Sequence, residues 1–165
     1  MSQTITPCIW MNGTAEEAAN FYVSLFDTSQ IDDIIRYTAD SPFPPSFAAG
    51  TAMLVNFTIN GQPFSTLNGG PEFPQTEAVS FVIPVKDQAE LDRYWDGLVA
   101  DGGAESMCGW CKDKYGVSWQ VVPEKLLQMQ AEGTKEQLER LWGQVFQMRK
   151  LDLAALEAAF EGETA

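Results

Sequence analysis

Pro7-Cys-Ile-Trp-Met-Asn-Gly-Thr-Ala-Glu-Glu-Ala-Ala-Asn-Phe-Tyr-Val-Ser-Leu-Phe26 lies without a gap over Ser80-Phe-Val-Ile-Pro-Val-Lys-Asp-Gln-Ala-Glu-Leu-Asp-Arg-Tyr-Trp-Asp-Gly-Leu-Val99. In this alignment Thr14-Ala-Glu-Glu17 falls on Asp87-Gln-Ala-Glu90, and Phe21, Tyr22 and Leu25 fall on Tyr94, Trp95 and Leu98. Each copy runs an apolar stretch, Cys8–Met11 or Phe81–Val85, into a short polar residue with Glu three positions on. That is the capping-box pattern that opens a helix. Strand, cap and amphipathic helix therefore occur twice. Two such units in one short chain predict a fold built by duplication, with its ligand site in the concavity between the halves.

Between the two copies the pattern is that of a sheet. Gln30–Thr38 alternates loosely, and Thr51–Ile59 and Pro63–Leu67 flank Asn60-Gly61, a strong signal for a two-residue hairpin. The prolines of Ser41-Pro-Phe-Pro-Pro45 cannot join a ladder, so Asp40–Gly50 is expected to cross a sheet edge or the mouth of the cavity. Gly69-Gly-Pro-Glu-Phe-Pro74 breaks the pattern where the first unit should hand over to the second. The second helix, Asp87–Ala100, stops at Asp101-Gly-Gly103, and strands follow it again in shortened form.

Beyond Pro123 the chain turns helical. Thr134-Lys-Glu-Gln137 is another capping box, and Leu138, Leu141, Trp142, Val145 and Phe146 make an apolar stripe at helical spacing. Asp152 opens a final helix through Leu153, Leu156 and Phe160. A stripe this apolar must be covered by the body of the molecule or by a second subunit, which predicts a homodimer. The domain reading is a duplicated body over 1–123, with module one about 4–70 and module two about 77–123, followed by a helical extension over 124–165.

Composition bounds the partners. A chain of 165 residues with 45% apolar content can bury one good core. The formal charge of −13 argues against nucleic acid and against an anionic membrane surface, both of which would repel it. Small molecules or other proteins are the expected partners. No apolar run approaches the roughly 18 residues that span a bilayer, and the first residues lack the basic and apolar regions of a secretory signal, so the expectation is a cytoplasmic protein.

Three cysteines, Cys8, Cys108 and Cys111, do not make a disulfide framework, and a reducing compartment fits them. Cys108-Gly-Trp-Cys111 has the spacing of a thiol redox motif, but such motifs work at a helix N-terminus, and here the segment reads as a strand. Lys112-Asp-Lys-Tyr-Gly116 is turn chemistry, and Val117–Val122 has the β-branched and aromatic content of the next strand.

Three segments together carry a family likeness: Trp10-Met-Asn-Gly-Thr-Ala-Glu-Glu-Ala-Ala-Asn-Phe-Tyr22, Cys108-Gly-Trp-Cys-Lys-Asp-Lys-Tyr-Gly-Val-Ser-Trp-Gln-Val-Val-Pro123 and Met148-Arg-Lys-Leu-Asp-Leu-Ala-Ala-Leu-Glu-Ala158. The chain resembles the PhnB-like branch of the glyoxalase/bleomycin-resistance (vicinal oxygen chelate) superfamily, a branch often labelled demethylubiquinone-methyltransferase-like. The resemblance implies an α+β fold in which paired βαβββ modules form a cupped mixed sheet, usually in a homodimer. It also implies, for the superfamily's metal-using members, a divalent ion held by His and Glu on four strands.

Neither label is carried by the residues. A Rossmann-type methyltransferase needs a glycine-rich turn between a strand and a helix, and Gly69-Gly70 and Gly102-Gly103 are both punctuation. The metal positions implied by the resemblance fall at Pro7 or Cys8, at Ser65, at Ser80 and at Gln120, and the chain contains no His. Neutral amide and hydroxyl oxygens bind first-row divalent ions weakly, so the expectation is a cup with neither metal nor cofactor.

What remains is a pocket with Trp10, Phe64, Trp110 and Trp119 supplying area, Asn12, Ser65, Ser80 and Gln120 orienting a ligand, and Cys8 as a further cavity candidate. Aromatic residues in strands also serve as core, and strand alternation lets only one of Trp119 and Gln120 face the cavity; the resemblance favours Gln120. Glu17 and Glu90 look like a catalytic pair but stand where caps are made, and Asp113 belongs to its turn. The functional expectation is a small-molecule binder without the superfamily's metal. The alternative is a superfamily enzyme, of lyase, isomerase or oxygenase type, acting on a small metabolite.

Overall fold

The computed structural model describes residues 5–41 and 47–163. The expected proline loop therefore lies, from Pro42 to Pro45, outside the described residues. The chain forms two compact units, Met1–Gln75 and Thr76–Ala165.

The first unit runs β1 (Cys8–Met11), α1 (Ala15–Leu25), β2 (Ser29–Arg36), β3 (Ala52–Ile59) and β4 (Gln62–Asn68). Its sheet has the order β1-β4-β3-β2, with β1 parallel to β4 and the other pairs antiparallel. Asn60 and Gly61, both at positive φ (47° and 80°), close the β3–β4 hairpin with Ile59 paired to Gln62. Period-2 alternation sends Val55, Phe57 and Ile59 to the helix side and leaves Leu54, Asn56 and Thr58 on the other face. Small residues at Ala15, Ala18 and Ala19 let α1 lie close on this sheet, and the Thr66 hydroxyl donates to the Ala15 carbonyl at 2.8 Å. Stacked Tyr22, Phe57 and Phe64 fill the space between helix and sheet.

Phe64 is therefore core, and it faces away from the surface where it was expected to line a pocket. The start of α1 also departs from the expected capping box. Thr14 makes no side-chain cap and donates instead to Met11 Sδ at 3.8 Å. The N-terminal amides of the helix are taken by Asn68, whose Oδ1 accepts from Gly13 at 2.8 Å and Ala15 at 3.1 Å.

The second unit repeats the order: β5 (Ser80–Val85), α2 (Gln88–Val99), a 3₁₀ turn at Ala100–Gly102, then β6 (Ala104–Glu105), β7 (Trp110–Lys112) and β8 (Ser118–Pro123). Its sheet has the order β5-β8-β7-β6, with β5 parallel to β8. Here the cap is made as expected: Asp87 accepts from the Glu90 amide at 2.8 Å and the Glu90 carboxylate accepts from the Lys86 amide at 2.9 Å. Leu91, Tyr94, Trp95 and Leu98 bury one face of α2, and Asp101 and Gly102 end it at positive φ. Three further helices follow, α3 (Glu124–Glu132), α4 (Lys135–Val145) and α5 (Leu153–Glu161), with a complete capping box between Thr134 and Gln137.

One segment is reassigned. Cys108 and Gly109 do not extend a strand; with φ of 60° and 81° they form the two-residue turn of the β6–β7 hairpin, which starts its second strand only at Trp110. The reason is tertiary. The Cys108 and Gly109 amides donate to the carbonyls of Met148 (2.7 Å) and Arg149 (2.8 Å), in the connection between α4 and α5. No helix among the described residues is long and apolar enough to cross a membrane.

Candidate functional site

Each sheet carries its helix on one face and leaves the other open. In the second unit the register places Ser80 beside Ser118, Val82 beside Gln120, Trp110 beside Gln120 and Lys112 beside Ser118. Paired residues share a face, so Ser80, Val82, Trp110, Lys112, Ser118 and Gln120 all stand on the open side. Trp119 goes to the helix side, where it is buried and its Nε1 donates to Asp113 Oδ2 at 2.8 Å. Asp113 is fully employed in the turn, also accepting from the amides of Tyr115 (2.9 Å) and Val117 (3.1 Å).

On that open face the Gln120 amide donates to the Ser80 hydroxyl at 2.9 Å, so two of the expected site residues stand together. Beside them lies a pocket of about 180 Å³ lined by Glu77, Glu105, Ser106, Trp110, Lys112 and Ser118, among others. Lys112 is paired with the exposed Glu77, and this hydrogen bond holds the Glu77 carboxyl below the usual carboxylate range. Glu105 accepts from the Trp95 indole at 3.1 Å and approaches Arg149 at 3.7 Å. The Ser118 hydroxyl is buried and makes no hydrogen bond.

Trp110 owes its place to the turn before it. Besides the two amide bonds to the α4–α5 connection, Leu151 packs against Gly109, where an added Cβ would lie 3.0 Å from the leucine Cδ1. The same connection is tied to α2: Gln88 donates to the Leu151 carbonyl at 3.2 Å and accepts from the Leu153 amide at 2.8 Å, and Lys150 pairs with Asp92 at 3.1 Å. Cys111, on the helix side, is buried; burial first, and then Asp113 and Glu105, push its thiol up to about 12. All three cysteines are free thiols.

In the first unit the register sets Cys8 beside Ser65 and Trp10 beside Leu67 on the open face. Ser65 is buried, its amide donating to the Pro7 carbonyl at 2.9 Å, whereas Cys8 is exposed. Asn12 is exposed after β1. Trp10 is half-buried under the Gly69–Gln75 loop: its Nε1 donates to the Gly70 carbonyl at 2.8 Å, Phe73 meets its ring edge-on at 4.8 Å, and the Gln75 amide donates to its backbone carbonyl. What Trp10 leaves to a ligand is ring area alone.

In the first unit Cys8 and Ser65 offer a thiol and a hydroxyl, and in the second Ser80 and Gln120 offer a hydroxyl and an amide. Neither pair fits a first-row divalent ion, which asks for several imidazole, carboxylate or thiolate ligands. Among the described residues no three His, Cys, Asp or Glu side chains gather as a metal site would require. Lys112, Ser118 and Glu77 were not singled out in the sequence, although Ser118 sits two residues before Gln120 on one strand and so on its face.

Two βαβββ units, each a mixed four-stranded sheet under one helix, define an α+β protein of the glyoxalase-like class. The chain belongs to the 3-demethylubiquinone-9 3-methyltransferase family, whose pattern matches residues 3–122. The PhnB protein of Bacillus cereus is 38% identical, with 73% of this chain and 99% of that one aligned at a TM-score of 0.65. Protein PA1353 of Pseudomonas aeruginosa is 23% identical over 74% of this chain and 98% of its own, at a TM-score of 0.61. The fosfomycin resistance protein FosX of Mesorhizobium loti shares the fold at 14% identity and a TM-score of 0.53, over 80% of this chain and 99% of its own. No curated protein matches the chain.

Proposed function

We propose that this chain is a cytoplasmic, homodimeric small-molecule-binding protein that works without the divalent metal of its superfamily, using the open faces of its two sheets. The observation that carries this reading is the Gln120–Ser80 hydrogen bond at 2.9 Å. Two residues at positions where metal-using members place ligands are here neutral and bonded to each other, beside Trp110 and the pocket next to it. Aromatic area with a few oriented polar groups is the chemistry of small-ligand recognition. Methyl transfer of the Rossmann kind has no support in the fold: among the described residues each sheet has one parallel pair of strands, and no glycine-rich turn leads from a strand into a helix.

The test is a thermal-shift screen of metabolites and of Mn, Ni and Zn salts on chelator-treated protein. The expected result is stabilisation by a metabolite that survives chelator and is lost in Gln120→Ala and Trp110→Ala, as binding to the native state alone requires. A large response to one of the metal ions, removed by chelator, overturns the reading.

A further inference from the structure

Features of the pocket beside Ser118 say what kind of ligand it takes. Ser118 is 1% exposed and its hydroxyl has no hydrogen-bond partner among the described residues, although buried polar groups are as a rule satisfied. Ser118 lines a space of about 180 Å³.

Lys112 faces the same space from the neighbouring strand, in register with Ser118, so an ammonium and a hydroxyl donor are brought to one wall. The lysine's present partner is Glu77, whose side chain is 64% exposed in the turn before β5. Exposed ion pairs are held weakly against solvent, so another carboxylate can displace this one at small cost. The ring of Trp110 supplies apolar area along the same lining.

The charge count narrows the choice further. One lysine faces one glutamate there, Glu105 turning to the helix side to accept from Trp95, on a chain whose formal charge is −13. A dianionic phosphate or phosphonate is repelled more strongly than a singly charged group, and a single cation matches a single negative charge.

We propose that this pocket binds a small organic monocarboxylic acid. Its carboxylate accepts hydrogen bonds from Ser118 Oγ and from the Lys112 ammonium in the place now held by Glu77, and its carbon body lies against Trp110. This rests on the open-face reading above and adds the ligand's class to it. Glu77 acts as an internal placeholder, keeping the lysine paired when no acid is bound.

The test is titration of the full-length, ¹⁵N-labelled chain with sodium acetate, lactate, benzoate and phenylacetate at constant ionic strength, with acetamide and benzamide as neutral counterparts. At least one acid is expected to give saturable shifts of the Lys112 and Ser118 amides below about 10 mM, and neither amide compound to do so. Ser118→Ala and Lys112→Gln are expected to weaken that binding about tenfold or more, the loss of one charge-assisted hydrogen bond. Glu77→Gln, a change at an exposed side chain that leaves folding intact, is expected to tighten it several-fold by removing the competitor.

Equal binding of the neutral amides overturns the proposal, as does an unchanged or weaker affinity in Glu77→Gln or the failure of every acid to saturate. If the acids fail while a neutral metabolite still stabilises the protein in a Gln120-dependent way, the open-face reading stands and the acid proposal alone falls. If neither acids nor neutral metabolites bind, both fall.

Discussion

Asn68 caps the helix that begins at Ala15: its Oδ1 accepts from the Ala15 amide at 3.1 Å and from the Gly13 amide at 2.8 Å, while its Nδ2 donates to the Ala52 carbonyl at 2.9 Å. One fully buried side chain at the end of β4 thus satisfies the N-terminus of α1 and the start of β3 together. Asn68→Ala leaves the buried Ala15 amide and Ala52 carbonyl unpaired, at about 1 kcal/mol or more each, and gives the exposed Gly13 amide to water. The expected loss is about 2–4 kcal/mol in urea denaturation, against less than about 0.5 kcal/mol for Thr14→Ala, which removes no cap. Equal losses in the two variants would contradict the assignment.

That cap also marks where the sequence stopped being legible. The repeated strand and helix and the Asn60-Gly61 hairpin were readable because helix period, strand alternation and turn chemistry are local signals, while the α+β class with its paired βαβββ modules came with the family resemblance of three motif segments. Thr14 read as a cap because its spacing to Glu17 is right, but the Ala15 amide is capped by Asn68, 53 residues further on. Cys108-Gly109 read as strand because its φ angles are held by carbonyls of Met148 and Arg149 that no local window contains. On the open face, Gln120 was reachable by counting from Gly116. Ser118 and Lys112 needed the cross-strand register as well, and Glu77 needed the path of the turn between the units.

Cys111 sets an alkaline limit. Its thiol, pushed up to about 12 by burial, is neutral at any pH where the protein is handled, and in the unfolded chain it ionises near 8.5. The native state therefore holds a proton that the unfolded state releases. Its contribution to stability is complete below about pH 8.5 and is lost progressively toward pH 12, by at most about 1.4 kcal/mol per pH unit. Urea midpoints between pH 8.5 and 10.5 are expected to fall more steeply for the native chain than for Cys111→Ala. In the native state at pH 8, iodoacetamide followed by peptide mapping should label Cys8 and leave Cys111 untouched.

Leu151 ties the α4–α5 connection to the body of the second unit. It is 1% exposed and packs on the Cys108–Gly109 turn, so truncation leaves a cavity that hydrogen bonds on either side hold open. Leu151→Ala is expected to cost about 2–5 kcal/mol by thermal or urea unfolding. Leu127→Ala, at a position 46% exposed, should change stability by less than about 0.5 kcal/mol. Because the connection holds the turn that carries Trp110, Leu151→Ala should also broaden the Trp110 indole resonance in the folded protein.

Gly69 and Trp10 occupy one volume between them. A Cβ on Gly69 would sit 2.1 Å from Trp10 Cζ2 and 2.5 Å from Cε2, closer than any real contact, and the residue lies outside the positive-φ region, so the nearest obstacle is the indole. Gly69→Ala must push the ring aside, breaking its hydrogen bond to Gly70 and its edge contact with Phe73. A loss of about 1–3 kcal/mol is expected, the usual range for overpacking. In a Trp10→Ala background the obstacle is gone, so the double variant should be more stable than the sum of the two losses by about 1 kcal/mol or more. Gly143→Ala supplies the control: it lies in α4 with nothing within 4 Å of the added methyl, and should gain up to about 1 kcal/mol of helix stability. Additive losses for Gly69 and Trp10 would mean that the loop over the open face of the first sheet is held by something other than the indole beneath it.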